Sequence, residues 1–238
     1  MRASSKALKK RAKMQLAKET EYLISRLNEK FPRAHRISKR TISAPTPEIL
    51  QNLKRLERAQ CLFNHKKPII DAEIDMALYY LTDSGFYSKY DIAEILKTSG
   101  HYVFEIYDLD YNQIYRSFSF LRFDTYDIAD LMSFSNFVLY DREDYLLPFV
   151  QKTTNEAIEK EKLVEFQVPK HIVWENYGPV NHNYYWEMKL GRAFPIYKQC
   201  DGHQDKVAGV FVTHNTKQVF DRVPAHLLQP QNVSFLIR

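Results

Sequence analysis

The chain has 238 residues, 45% hydrophobic and 14% aromatic, with 16 Tyr and 15 Phe. That composition excludes disorder throughout, which goes with few aromatics and low hydrophobicity, and the length suits one large domain or two small ones. The formal net charge of +5 is unevenly spread: residues 1–67 carry 18 Lys/Arg against 5 Asp/Glu, and residues 68–238 carry 16 against 24.

The first 18 residues hold no apolar stretch of signal-peptide type. No apolar run approaches the roughly 20 residues that cross a bilayer. Two cysteines far apart, Cys61 and Cys200, form no disulfide framework and fit a reducing compartment. The expectation is a soluble cytoplasmic protein, in host cytoplasm or a virion if viral, with no membrane partner.

In chain order, Ser4 to Glu29 reads as a helix, rich in Ala, Lys, Leu, Glu and Arg and free of Gly and Pro. Leu16, Thr20, Leu23 and Leu27 form an apolar stripe in its later turns, while Lys6, Lys9, Lys10, Arg11 and Lys13 crowd its start. Residues 32–47 read as an extended basic linker carrying Arg33, Arg36, Lys39 and Arg40, kept out of helix by Pro45 and Pro47. Thr46 then caps a second helix with Pro47 at its first position and Glu48 at the positive dipole end. Leu50, Leu53 and Leu56 form its buried side, and Lys54, Arg55 and Arg58 point elsewhere.

A third helix is predicted over Ile69–Leu81, ended by Thr82 to Gly85, and a fourth from a Ser88/Asp91 capping box to Gly100. The chain then turns to β. His101–Tyr107 and Gln113–Phe120 alternate around an Asp108–Asn112 turn, which leaves no separate recognition helix for a helix-turn-helix. A short helix capped by Thr125 runs to Met132, a strand covers Phe137–Tyr140, and Asp144–Lys162 is helical. Further strands fall near Leu163–Val168, Tyr184–Leu190, Ala193–Tyr197, Val207–Thr213 and Ser234–Ile237, with turns at Gly191-Arg192 and Asp201-Gly202. The fold class is α+β: a basic arm of two helices over residues 1–67, then an acidic domain over 68–238 with a mainly antiparallel sheet.

The phosphate-cradling Gly-rich loop, the Gly-x-Ser-x-Gly elbow and the His-Glu-x-x-His helix are all missing from the sequence. Four weaker constellations stand out. Cys200 and His203, with His214 and His182, offer metal-ligand chemistry but lack a second close pair for a closed zinc site. Glu187 and Lys189 sit two apart on an alternating strand, as in some metal-dependent nucleases where the acid holds the metal and the lysine steadies water. Asp108, Asp110, Asp124, Asp127 and Asp130 form an acidic group that turns and helix starts also favour for backbone reasons. Tyr177, Tyr184, Tyr185, Trp186 and Tyr197 near Lys189, Arg192 and Lys198 could stack bases or fill a sheet core. No cofactor and no metal centre are expected.

The run from Arg11 to Phe31, the basic Pro/Ser/Thr linker and Pro47 to Arg58 together resemble the basic N-terminal region of small DNA-associated proteins of Gram-positive phages and plasmids, including terminal proteins of protein-primed phages. The resemblance spans about 50 residues. It implies a DNA-associated role in a mobile element, and in its terminal-protein form a priming hydroxyl that maps onto no position here.

Together these features lead to the expectation of a largely sequence-independent DNA-binding protein of a phage or mobile element, acting in replication or packaging. DNA is favoured over RNA, phosphates are held by Lys9, Lys10, Arg11, Lys13, Arg33, Arg36, Lys39, Arg40, Lys54, Arg55 and Arg58, and a protein partner is open to the acidic domain. Two alternatives stay open: a metal-dependent nuclease or nucleotidyl-transfer accessory enzyme, and a virion assembly component.

Overall fold

The computed structural model describes residues 5–30, 45–62, 68–99, 103–122, 126–134, 136–176, 183–200 and 205–219. The α+β class holds: helices lead, and an antiparallel sheet follows.

Helix α1 (Ser5–Lys30) packs only with its second half, where Leu23, Ile24 and Leu27 are buried; residues 7–15 are exposed. Helix α2 (Pro47–Ala59) starts as the residue types demand. The Thr46 hydroxyl accepts the N–H of Ile49 at 3.2 Å, and Ile49, Leu50, Leu53, Leu56 and Ala59 form its buried stripe. Helix α3 (Ile69–Asp83) ends where Gly85 takes φ +74, letting the N–H groups of Gly85 and Phe86 reach the carbonyls of Thr82 and Leu81. Helix α4 (Ile92–Ser99) is capped by Asp91, whose carboxylate accepts the N–H of Glu94 at 2.9 Å. Ser88 of the predicted capping box is spent on the adjacent turn, accepting the N–H of Tyr90.

Among the described residues the sheet is six-stranded and antiparallel throughout: β1 (Val103–Asp108), β2 (Gln113–Arg116), β3 (Tyr140–Arg142), β4 (Val164–Glu175), β5 (Asn183–Gln199) and β6 (Asp205–Val219). Their order is β2-β1-β6-β5-β4-β3. The first hairpin thus lies at one edge, and the last strand returns to pair with the first. Strand alternation divides the side chains between two faces. Phe104, Ile106, Tyr115, Phe194, Ile196 and Phe211 join the apolar cluster of Leu23, Leu27, Leu53, Leu56 and Leu81. The segments 5–62 and 68–219 therefore share one core. The opposite face, with Val103, Tyr107, Trp186, Ala193, Val210 and Val212, is covered by α5 (Ile128–Ser133), α6 (Asn136–Leu139) and α7 (Leu146–Glu159).

Several elements depart from expectation. Gly191-Arg192 is no turn, because β5 runs unbroken through it. A Cβ on Gly191 would stand 2.4 Å from the Phe166 ring, so the glycine allows a close approach across β4 and β5. The strand expected at Phe137–Tyr140 is helix α6 followed by β3; Phe137 and Val138 are both exposed, which strand alternation against a core does not allow. The second hairpin strand stops at Arg116, and Phe118–Arg122 winds into a 3-10 turn. Thr125, Asp201-Gly202 and Ser234–Ile237 lie outside the described residues.

Candidate functional site

A cavity of about 510 Å³ opens between the second face of the sheet and α7. It is built by alternation: Glu105 and Tyr107 of β1, Val212 and His214 of β6, Trp186 of β5 and Phe166 of β4 project from the sheet as its floor. Leu146, Leu147, Val150, Gln151 and Thr154 of α7 form the roof, and Phe120, Phe137 and Tyr140 close one side. Arg142, Glu143 and Asp144, the partly exposed residues entering α7, bring the polar groups of the rim.

Rings dominate the interior. Phe120 lies 5.7 Å from Trp186 and edge-on to His214 at 6.1 Å, and Trp186 meets His214 edge-on at 5.9 Å. At the floor Glu105 faces Arg116 of β2 in register, and the Arg116 Nε–Glu105 Oε1 distance is 2.8 Å with both side chains buried. Burial is the strongest single influence on Arg116 and opposes its charge, but the Glu105 carboxylate together with Tyr107 and Tyr140 outweighs it and holds the guanidinium ionised. That guanidinium spans the rings of Phe120 (5.2 Å) and Tyr140 (5.9 Å), and Arg142 covers Tyr140 at 5.1 Å. Burial pushes the Tyr107 hydroxyl well above its ordinary range.

His214 is 3% exposed, and its Nδ1 has no hydrogen-bond partner among the described residues. Burial pushes its pKa down to about 4 against the pull of Glu105, with Arg142 adding to the fall. The imidazole is therefore neutral at pH 7.

The residues singled out in the sequence are not brought together. Cys200 follows the end of β5, whereas His214 pairs with Gly191, nine residues earlier on that strand. At about 3.3 Å per residue they stand roughly 30 Å apart, so no shared metal site exists between them; His203 and His182 lie outside the described residues. Among the described residues no group of three or more His, Cys, Asp or Glu gathers to hold a metal.

Glu187 and Lys189 are both in β5, but a register shift between Met188 and Leu190 places a bulge at Lys189. Asp108 accepts the N–H groups of Asp110 and Asn112, and Asp127 and Asp130 cap each other's N–H groups. These acids therefore serve their turns; Asp124 is outside the described residues. Of the aromatic group, Tyr184, Trp186 and Tyr197 are core, and Tyr177 is not described.

Within the expected phosphate-binding set, Lys9, Lys10, Arg11 and Lys13 are exposed on the free half of α1, and Arg33, Arg36, Lys39 and Arg40 lie outside the described residues. Lys54 pairs with Glu19 at 2.5 Å, Arg55 with Asp83 at 2.8 Å, and Arg58 with the same carboxylate at 3.7 Å. Arg55 also donates to the Tyr80 carbonyl and the Ser84 hydroxyl and lies 4.3 Å from the centre of the Tyr80 ring.

No protein-family model matches the chain. No curated protein matches it either. Among solved structures it is similar to the photo-excited blue-light photoreceptor Vivid (12% identity, TM-score 0.30, 48% of this chain and 76% of that one). It is also similar to the dark structure of the blue-light photoreceptor Aureochrome1 LOV (14%, 0.35, 60% and 89%) and to an RNA-binding Light-Oxygen-Voltage receptor (13%, 0.30, 92% and 64%). Superposition this loose transfers no function.

The expectation of a phage or mobile-element DNA-binding protein, with its nuclease and virion alternatives, is corrected. The α2 cations meant for phosphates, Lys54, Arg55 and Arg58, are paired with the chain's own acids instead. No helix among the described residues is long and apolar enough to cross a membrane.

Proposed function

We propose that the chain is a small-molecule-binding sensory domain whose ligand occupies the cavity between the sheet and α7. One observation carries this reading: a space of about 510 Å³, walled by rings and aliphatic side chains and holding a few buried polar groups, His214 and Glu105 among them. Its volume falls within the roughly 300–1,000 Å³ usual for ligand sites, and a largely apolar wall with few polar groups is their usual composition. Packing density argues the same way, since protein interiors rarely leave voids larger than a water molecule.

The sensory part rests on the connection out of the cavity. Phe120 lines it, and the preceding residue, Ser119, is held by buried Glu73 of α3, so a shift of the cavity wall reaches the layer formed by α1–α4. Native mass spectrometry of the purified full chain, with a thermal-shift screen of small molecules, tests the reading. A retained or added ligand should raise Tm in the parent and lose this effect in Val212→Trp and in Leu147→Trp, which fill the cavity from floor and roof. Stabilisation unchanged by both fillings would remove the cavity as the site.

A second reading concerns partners. Lys9, Lys10, Arg11 and Lys13 lie close together on the exposed first half of α1, which fits an anionic partner surface, nucleic acid being one such polyanion. Binding of the full chain to RNA and DNA across a salt series, compared with a variant carrying Gln at these four positions, checks it. Identical salt curves for the two proteins would refute it.

A further inference from the structure

The chemistry of the cavity wall narrows its occupant, and the narrowing rests on the small-molecule reading above. We infer that the cavity takes an uncharged, planar aromatic molecule carrying one hydrogen-bonding group at its edge, which meets His214.

Shape comes first. The rings of Tyr107, Phe120, Tyr140, Phe166 and Trp186 line the space from several strands and one turn. Flat ring systems gain offset-stacked and edge-to-face contacts with such a wall beyond the area they bury.

Charge comes next, and both signs are disfavoured. A cation would seek ring faces, but Arg116 and Arg142 already lie over Phe120 and Tyr140, and they would repel it. An anion would enter a wall that holds three carboxylates, Glu105, Glu143 and Asp144, against the one lining guanidinium of Arg142, while Arg116 is bonded to Glu105 through its Nε. Either ion would shed its water on entering a mostly apolar space.

Polarity supplies the last element. His214 lines the cavity, is 3% exposed, and presents an Nδ1 with no partner among the described residues. A buried imidazole nitrogen left unsatisfied is costly, and a single ligand O–H or N–H relieves that cost. Burial keeps this ring neutral at pH 7, so it calls for a dipole rather than an ion.

The test is titration calorimetry of the full chain at pH 7.5 with five probes of one skeleton: 2-naphthol, naphthalene, 2-naphthoate, 2-naphthylmethylammonium and decahydro-2-naphthol. The expected order puts 2-naphthol first, about tenfold or more ahead of the charged probes and of the saturated alcohol. His214→Phe should weaken 2-naphthol about two- to tenfold, the worth of one hydrogen bond, while leaving naphthalene unchanged. Decahydro-2-naphthol or either ion binding as tightly as 2-naphthol, with that binding lost in Leu147→Trp, would overturn the ligand class and leave the cavity as a binding site. Equal weakening of naphthol and naphthalene by His214→Phe would overturn the role of His214. Failure of all five probes to bind, together with a negative native mass spectrum and thermal-shift screen, would sink the ligand class and the cavity reading together.

Discussion

Glu73 and Ser119 are joined twice: the carboxylate of Glu73 accepts the backbone N–H of Ser119 at 2.9 Å through one oxygen and its hydroxyl at 3.0 Å through the other. Both residues are buried, Glu73 completely. The pair ties α3, on one side of the molecule, to the turn that carries Phe120 toward the cavity on the other. Glu73→Gln replaces one acceptor oxygen by a donor against a donor. It should cost about 1–3 kcal/mol, read as a lower urea midpoint with unchanged slope. Ser119→Ala keeps the backbone bond and should cost less, about 1 kcal/mol.

The buried ion pair at the cavity floor makes a different prediction. Glu105→Ala leaves Arg116 charged and without its carboxylate in a site of near-zero exposure. Breaking one side of such a pair should cost about 3–5 kcal/mol, whereas the double change Glu105→Leu with Arg116→Met should recover most of that loss. Chemical denaturation of the single and double variants measures both. A double variant less stable than Glu105→Ala alone would show that the pair is a net source of stability.

Gly191 is placed to test packing across the sheet. Gly191→Ala drives a methyl into the Phe166 ring, three of whose carbons lie 2.4–2.8 Å from the built Cβ position. A cost of about 1–3 kcal/mol is expected, and Phe166→Leu in the same chain should return part of it. Thermal melts of the two variants decide whether the ring is the obstacle.

Acid should destabilise the fold through His214. Its folded pKa of about 4 lies below the ordinary 6.5, so between these values the unfolded chain binds a proton that the folded one refuses. Stability therefore falls as pH drops through this window, by on the order of 3 kcal/mol at its lower end. His214→Phe should flatten that part of the profile relative to the parent, as urea midpoints at a series of pH values would show. Parallel profiles for the two proteins would refute the assignment.

Local signals explain why much of the fold was legible. The cap at Thr46, the proline at position 47 and the leucine stripe Leu50, Leu53, Leu56 all state the same helix, and the structure keeps it. The Asp108–Asn112 turn between alternating segments likewise announces the first hairpin. Gly191 misled because a glycine in a strand signals a turn or a close approach equally well, and only the ring of Phe166, 25 positions away, decides which. Counting charge misled in a related way. The imbalance between residues 1–67 and 68–238 is real, yet which acid meets Arg55 depends on how α2 packs beside α3.

The cavity was out of reach for the same reason, since its walls come from β1, β4, β5, β6 and α7. One trace was present in the sequence: Glu105 and Arg116 stand alone as charges inside apolar alternating segments, and a pair so placed in facing strands of a hairpin marks a buried polar floor.

Tyr111 has a left-handed backbone (φ 60), a conformation that costs a non-glycine residue on the order of 1 kcal/mol. It is held there while its phenol donates to Asn155 and bonds the hydroxyl of Thr154 on α7. Just ahead of the same helix, the Glu143 carboxylate takes the N–H of Ile172 on β4. The roof of the cavity is thus moored at two points, to the hairpin turn and to β4. A molecule entering beneath it must part side chains along the span instead of swinging the helix aside.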